Sequence, residues 1–160
     1  MEDIKKLVTL LNNKKLKLAT AESCTGGLLA KTLTDISGVS SVFEMGIVTY
    51  SNRIKNEFLN VSENTLSGFG AVSDKTAEEM AKNITELANA DIGVGITGIA
   101  GPTGATSTKP VGLVYFSLYF KSKNIFKTFK LNLDGNRCEV REKTVNTVIK
   151  ALTEILSNEL

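Results

Sequence analysis

The run Leu16-Lys17-Leu18-Ala19-Thr20-Ala21-Glu22-Ser23-Cys24-Thr25-Gly26-Gly27-Leu28-Leu29-Ala30-Lys31-Thr32-Leu33 holds two periodicities. Leu16 to Thr20 reads as an apolar strand, and the residues from Leu28 onward have helical spacing. A small hydroxyl residue just before a helix can cap its first free N–H groups, so a strand, a turn and an N-cap explain most of the run. They do not explain a carboxylate, a hydroxyl, a thiol, a second hydroxyl and two glycines in succession. Glycine lets backbone approach a ligand closely, and the free amides of a helix start favour negative charge. Serine there is equally a candidate nucleophile, with those amides stabilising the oxyanion it creates. On its own the stretch supports either reading, cap or chemistry.

Working outward, Asp3 to Asn13 forms a short amphipathic helix with Ile4, Leu7, Val8 and Leu11 at helical spacing. The helix after the opening turn runs to about Ile36, where Ser37-Gly38 stops it. Val42 to Tyr50 reads as a second strand, and Ser51-Asn52 caps a short helix containing Lys55. Ser62 caps a further helical turn that Gly68 and Gly70 end. Ser73 caps the clearest helix of the chain, with Ala77, Met80, Ala81, Ile84, Leu87 and Ala88 as one apolar core stripe. Asp91 to Ile96 is a third strand, apolar enough to be buried on both faces. Val111 to Phe120 and Ile125 to Leu133 are two more, with Lys121 to Asn124 as their hairpin turn. A long C-terminal helix carries Val140, Val145, Val148, Ile149, Leu152 and Ile155, and Cys138 is expected to pack inside. Alternating helices and strands at the front, with a hairpin late, predict a single-domain α/β/α sandwich over residues 1–160. Its sheet is expected to be mixed and largely parallel. Ligands of such sheets bind beyond the carboxyl ends of the strands, and the unusual segments all fall there.

Bulk composition excludes more than it identifies. The chain has 160 residues, 42% apolar and 22% charged, as one ordinary globular domain has. A net charge of +2 gives no electrostatic footprint for nucleic acid. Lys121, Lys123, Lys127 and Lys130, alternating with Phe126 and Phe129, look like the wet side of strands. No apolar run reaches the length of a membrane span, and Met1-Glu2-Asp3 does not open a signal peptide. Cys24 and Cys138 make neither a disulfide framework nor a structural zinc site. A cytoplasmic protein with reduced thiols is the expectation. The chain contains no histidine, which removes the Ser-His-Asp triad, the Cys-His pair and every histidine metal site. Any acyl-transfer chemistry needs another base, and lysine is the usual substitute beside serine.

Three further segments are unusual. In Ile47-Val48-Thr49-Tyr50-Ser51-Asn52-Arg53-Ile54-Lys55, Tyr50 ends a strand and Lys55 lies about one turn into the next helix. A random pair so placed is an edge plug and a solvated lysine; a base for Ser23 gives Lys55 another role. Bringing a lysine from a pKa of about 10.4 to about 7–8 costs about 4 kcal/mol. That requires shelter, under a bound substrate, with a cation such as Arg53 or Arg137 nearby. In Ile96-Thr97-Gly98-Ile99-Ala100-Gly101-Pro102-Thr103-Gly104-Ala105-Thr106, continuing to Lys109-Pro110-Val111-Gly112, hydroxyls and open amides suit a phosphate or sugar. No Gly-Lys-Ser/Thr closes it as a Walker loop would be closed. Asp134-Gly135-Asn136-Arg137, with Arg141 one turn later, is the fourth candidate; by itself Arg137 reads as a surface residue.

Together and in this order, the segments resemble the C-terminal domain of the CinA (competence/damage-inducible) family. The matching residues are Ala21-Glu22-Ser23-Cys24-Thr25-Gly26-Gly27, Val48-Thr49-Tyr50-Ser51-Asn52 with Lys55, Gly70-Ala71-Val72-Ser73, Thr97-Gly98-Ile99-Ala100-Gly101-Pro102, and Lys109-Pro110-Val111-Gly112. Gly135 and Arg137 match a weaker late motif. More narrowly, the chain looks like the stand-alone form, an amidase of nicotinamide nucleotides. The resemblance implies deamidation of nicotinamide mononucleotide to nicotinate mononucleotide and ammonia, with no metal and no cofactor. It implies Ser23 as nucleophile, Lys55 as its base and Tyr50 as a hydrogen-bonding partner or proton relay. Cys24, Thr25, Gly26, Gly27, Thr97, Gly98, Gly101, Gly104, Thr106 and Arg137 would then bind the nucleotide. The partner is a small-molecule nucleotide, without nucleic acid or membrane, and a homo-oligomer is compatible with the chain. Two rivals stand beside this reading: Cys24 as the nucleophile, and a nucleotide-binding module without turnover.

Overall fold

A computed structural model describes residues 2–158. Helix α1 (Glu2–Lys14) leads into strand β1 (Leu18–Glu22), followed by α2 (Leu28–Thr34), β2 (Phe43–Val48), α3 (Asn52–Leu59), α4 (Glu63–Gly68) and α5 (Asp74–Leu87). Then come β3 (Ile92–Gly98), β4 (Leu113–Phe120), β5 (Ile125–Asn132) and the long α6 (Arg137–Asn158). The five strands form one sheet in the order β2-β1-β3-β4-β5. Strand β1 is parallel to both its neighbours, and the β3–β4 and β4–β5 ladders are antiparallel. Four strands therefore run one way and β4 runs against them. This is the single-domain mixed α/β sheet that the alternation predicted.

Side-chain alternation divides the core by sheet face. Leu18, Val94, Ile96, Phe116 and Leu118 point to the side covered by α1, α2 and α6, where Leu7, Leu11, Leu29, Leu33, Val148 and Leu152 meet them. Ala19 and Ala21 point to the other side, toward Met80 and Ile84 of α5 and Leu59 of α3. Helix α5 can lie so close because β3 carries glycine on that face. A Cβ on Gly93 would stand 2.0 Å from the Ala81 carbonyl oxygen, and one on Gly95 2.3 Å from that of Ala77.

The differences from the expected elements have local causes. Strand β1 begins two residues later than Leu16 and ends at Glu22, because Lys15 takes a left-handed φ of 54° and Ala21 and Glu22 pair with both neighbours. Ser23 is thereby the first residue past the strand's carboxyl end. Helix α2 stops at Thr34, and a 3-10 turn over Val39–Ser41 precedes β2. The apolar stripe of α5 ends at Ile84; Leu87, at the helix end, is exposed. Cys138 is exposed rather than inside, because it lies in the first turn of α6 and burial of that helix begins at Val140.

Candidate active site

Ser23 is fixed by its backbone. Its amide donates to the Ile96 carbonyl at 3.0 Å, extending the β1–β3 ladder by one bond, and the residue is buried. Lys55 arrives from α3, whose start Ser51 caps by accepting the Ile54 amide. At 1% exposure Lys55 is among the most deeply buried large side chains in the molecule. Its Nζ donates to Ser23 Oγ at 3.0 Å, to the Thr49 carbonyl at 2.8 Å and to the Tyr50 carbonyl at 3.1 Å. Burial lowers its pKa to about 8. The protein itself supplies that shelter. Neither of the expected cations is bonded beside it among the described residues: Arg53 pairs with Glu57 on the surface, and Arg137 donates to Tyr50 and Gly101.

The start of α2 is organised otherwise than the sequence led us to expect. Its N-cap is Gly27, with φ 91° and no side-chain bond. The cap comes instead from Glu22, fully buried, whose carboxylate accepts the amides of Gly27 at 3.1 Å, Leu29 at 3.1 Å and Ala30 at 2.9 Å. Those helix-start amides are thus not free to hold an oxyanion. The Gly26 and Leu28 amides serve the turn itself, bonding the carbonyls of Ser23 and Thr25. Among the described residues, the amides of Cys24 and Thr25 are left without a protein acceptor on another residue. Cys24 is buried beside Ser23, and burial pushes its thiol up to about 12.

Beyond Ser23 opens a cavity of about 280 Å³, near the lower end of small-molecule sites. Ser23, Lys55 and Tyr50 line it together with Cys24, Thr97, Gly98, Gly101, Gly104 and Arg137 from the sequence-derived set. Four members of that set stand off the wall. Thr25 is buried beneath the turn, Gly26 faces outward, Gly27 gives its amide to Glu22, and Thr106 is exposed, its hydroxyl accepting the Lys109 amide. Tyr50 is exposed at the mouth. Its hydroxyl accepts from Arg137 Nη2 at 3.0 Å while Arg137 Nη1 donates to the Gly101 carbonyl at 2.8 Å. Its tie to Lys55 runs through its carbonyl and not its ring.

Sequence reasoning named Arg141, Lys109 and Thr97 but not what they do, which is to hold backbone carbonyls. Arg141 donates through Nη2 to the Thr25 carbonyl at 2.8 Å. Lys109 donates to the carbonyls of Phe69 at 2.8 Å and Val72 at 2.7 Å, and Thr97 to that of Ala71 at 2.6 Å, fixing the wall formed by Ala71 and Val72. The one visible signal was Glu22, a carboxylate closing an otherwise apolar strand.

The model of the CinA C-terminal domain family matches residues 2–156. A competence-damage inducible protein of Thermoanaerobacter pseudethanolicus is 54% identical over 145 residues, covering 91% of this chain and 34% of that protein. A CinA-like protein of Kosmotoga olearia is 53% identical over 137 residues, covering 86% of this chain and 33% of that protein. The chain thus spans about a third of the length of these curated relatives. Solved structures match it nearly end to end. Competence damage-inducible protein A of Klebsiella pneumoniae has a TM-score of 0.95 at 33% identity, covering 99% of this chain and 98% of that one. The competence/damage inducible protein CihA of Agrobacterium tumefaciens has a TM-score of 0.93 at 39% identity, covering 98% and 94%.

Proposed function

This chain belongs to the CinA C-terminal domain family, and from that premise we propose that it is an amidohydrolase converting nicotinamide mononucleotide to nicotinate mononucleotide and ammonia. The observation that carries the reading is the buried Lys55 amine 3.0 Å from the Ser23 hydroxyl. A neutral amine has two N–H donors and one lone pair. With the Thr49 and Tyr50 carbonyls taking the two donors, the lone pair is left to accept the Ser23 proton. Ser23 attacks the carboxamide carbon as Lys55 takes its proton, and Lys55 returns that proton to the departing ammonia. Water, activated by the same amine, then cleaves the acyl-enzyme to the carboxylate. The Cys24 amide is the donor we assign to the oxyanion, because Cys24 lines the cavity while Glu22 holds the amides of the helix.

Among the described residues the cavity wall contains no carboxylate, which suits an anionic ligand. We place the ribose and phosphate toward Thr103, Gly104 and Arg137, and Tyr50 as the residue that orients Arg137 at the mouth. A phosphorylated nucleotide is confined to the cell interior by its charge, so the proposal places the protein in the cytoplasm. Cys24 is not the nucleophile in this account, since a thiol held at about 12 gives almost no thiolate at neutral pH.

The test is ammonia release from nicotinamide mononucleotide by the purified protein. Wild type and Cys24→Ala should turn over, while Ser23→Ala and Lys55→Ala should each lose about a thousandfold or more in kcat/KM. Ligand-induced stabilisation with no ammonia would instead identify a binding module, and activity lost in Cys24→Ala but kept in Ser23→Ala would name the thiol.

A further inference from the structure

A helix start is ordinarily closed by Ser, Thr, Asp or Asn at the N-cap itself. Here Gly27 stands at the N-cap and the acceptor comes from Glu22, on the far side of the turn that carries Ser23. Burying a carboxylate is costly unless hydrogen bonds replace its lost water. Glu22 is fully buried with three amides as partners and, among the described residues, no ion pair. A hydroxyl cap would serve α2 at lower cost. What the carboxylate does in addition is bridge from the last residue of β1 to the start of α2, closing a ring around Ser23, Cys24, Thr25 and Gly26.

The middle of that ring is held from the opposite direction. Arg141 of α6 reaches the Thr25 carbonyl with two nitrogens, Nη2 at 2.8 Å and Nε at 3.3 Å. The absence of a side chain at Gly26 leaves the room, since a Cβ there would lie 3.3 Å from Arg141 Nη2. Neither Glu22 nor Arg141 lines the cavity.

We infer that Glu22 and Arg141 are positioning residues for Ser23: one closes the ends of its turn, the other pins its middle, and together they keep the hydroxyl on Lys55 and the Cys24 amide at the cavity wall. This rests on the Ser23–Lys55 dyad of the proposed function but not on the identity of the substrate. Near-attack geometry tolerates little displacement, so loosening the turn acts on the rate of acylation more than on substrate binding.

The experiment labels Ser23 with a small fluorophosphonate. The Ser23 Oγ–P bond forms, the P–F bond breaks, fluoride leaves and the hydroxyl proton passes to Lys55. Glu22→Gln keeps the shape but puts a donor where one acceptor oxygen was, so at least one amide loses its partner. Arg141→Lys keeps the charge but replaces the two-nitrogen fork with a single ammonium. Each variant should lower the labelling rate at least about tenfold, and kcat for nicotinamide mononucleotide with it, with KM within about threefold of wild type. Labelling within a factor of about ten of wild type in Arg141→Lys would overturn the inference, as would a matching rise in KM. Should Glu22→Gln fail to fold, Arg141→Lys decides alone. Should wild type be labelled at Ser23 yet release no ammonia, the substrate proposal falls and the labelling comparison still stands.

Discussion

Lys55 carries the account at the residue scale. Its folded pKa of about 8 lies below the lysine value of the unfolded chain, so between the two the unfolded chain binds the extra proton and stability rises with pH. Below about pH 8 the folded state bears the whole cost of a buried ammonium, about 3 kcal/mol by the size of the displacement. Lys55→Met removes the titration and keeps the stem. The stability of wild type relative to Lys55→Met should therefore climb by about 3 kcal/mol between about pH 7.5 and 10.5 in urea titrations. A flat difference would mean that Lys55 titrates as an ordinary lysine. This residue was legible because histidine is missing from the chain and Ser23 needs a base. The need for shelter was legible too, but not that the protein itself buries the amine without a bound substrate or a neighbouring cation, because sequence spacing does not show which side chains a fold encloses.

Among the elements, the turns around the cavity are held by long charged side chains gripping backbone, and these grips are what the sequence conceals. Nothing in the spacing of Lys109 and Phe69 says that an ammonium joins them across forty residues of chain, yet it donates to two carbonyls of the 69–72 turn. Lys109→Met should free that wall and leave the Ser23 turn intact. We expect KM for the nucleotide to rise about tenfold while Ser23 labelling stays at the wild-type rate. A fall in labelling with KM unchanged would show that the two walls are not independent. Helix caps with small hydroxyls were readable in advance, and Ser51, Ser62 and Ser73 each accept the amide three residues on. The start of α2 was misread because its cap sits outside the local window in which caps are sought.

For the whole molecule, the layered α/β arrangement followed from the order of periodicities, and the sheet gathers the carboxyl ends of β1, β2 and β3 where the cavity opens. Less visible was how closely the layers approach. Glycine inside a strand ordinarily weakens it, whereas Gly93 and Gly95 of β3 are contact points with the backbone of α5. Gly95→Ala should cost about 1–3 kcal/mol and lower Tm by several degrees, because its Cβ meets backbone that cannot move aside. Gly68→Ala, which meets nothing within 4 Å, should leave Tm nearly unchanged. Equal effects at the two sites would mean that the α5–β3 contact is not a close one.

The most direct test of the central claim, that a neutral Lys55 draws the proton from Ser23, is the pH dependence of Ser23 acylation by the fluorophosphonate. The account predicts a rate that rises about tenfold per pH unit below the pKa and levels off above about 8, and that collapses in Lys55→Met. A rate that does not change between about pH 6 and 9, or a Lys55→Met protein labelled as fast as wild type, would contradict it.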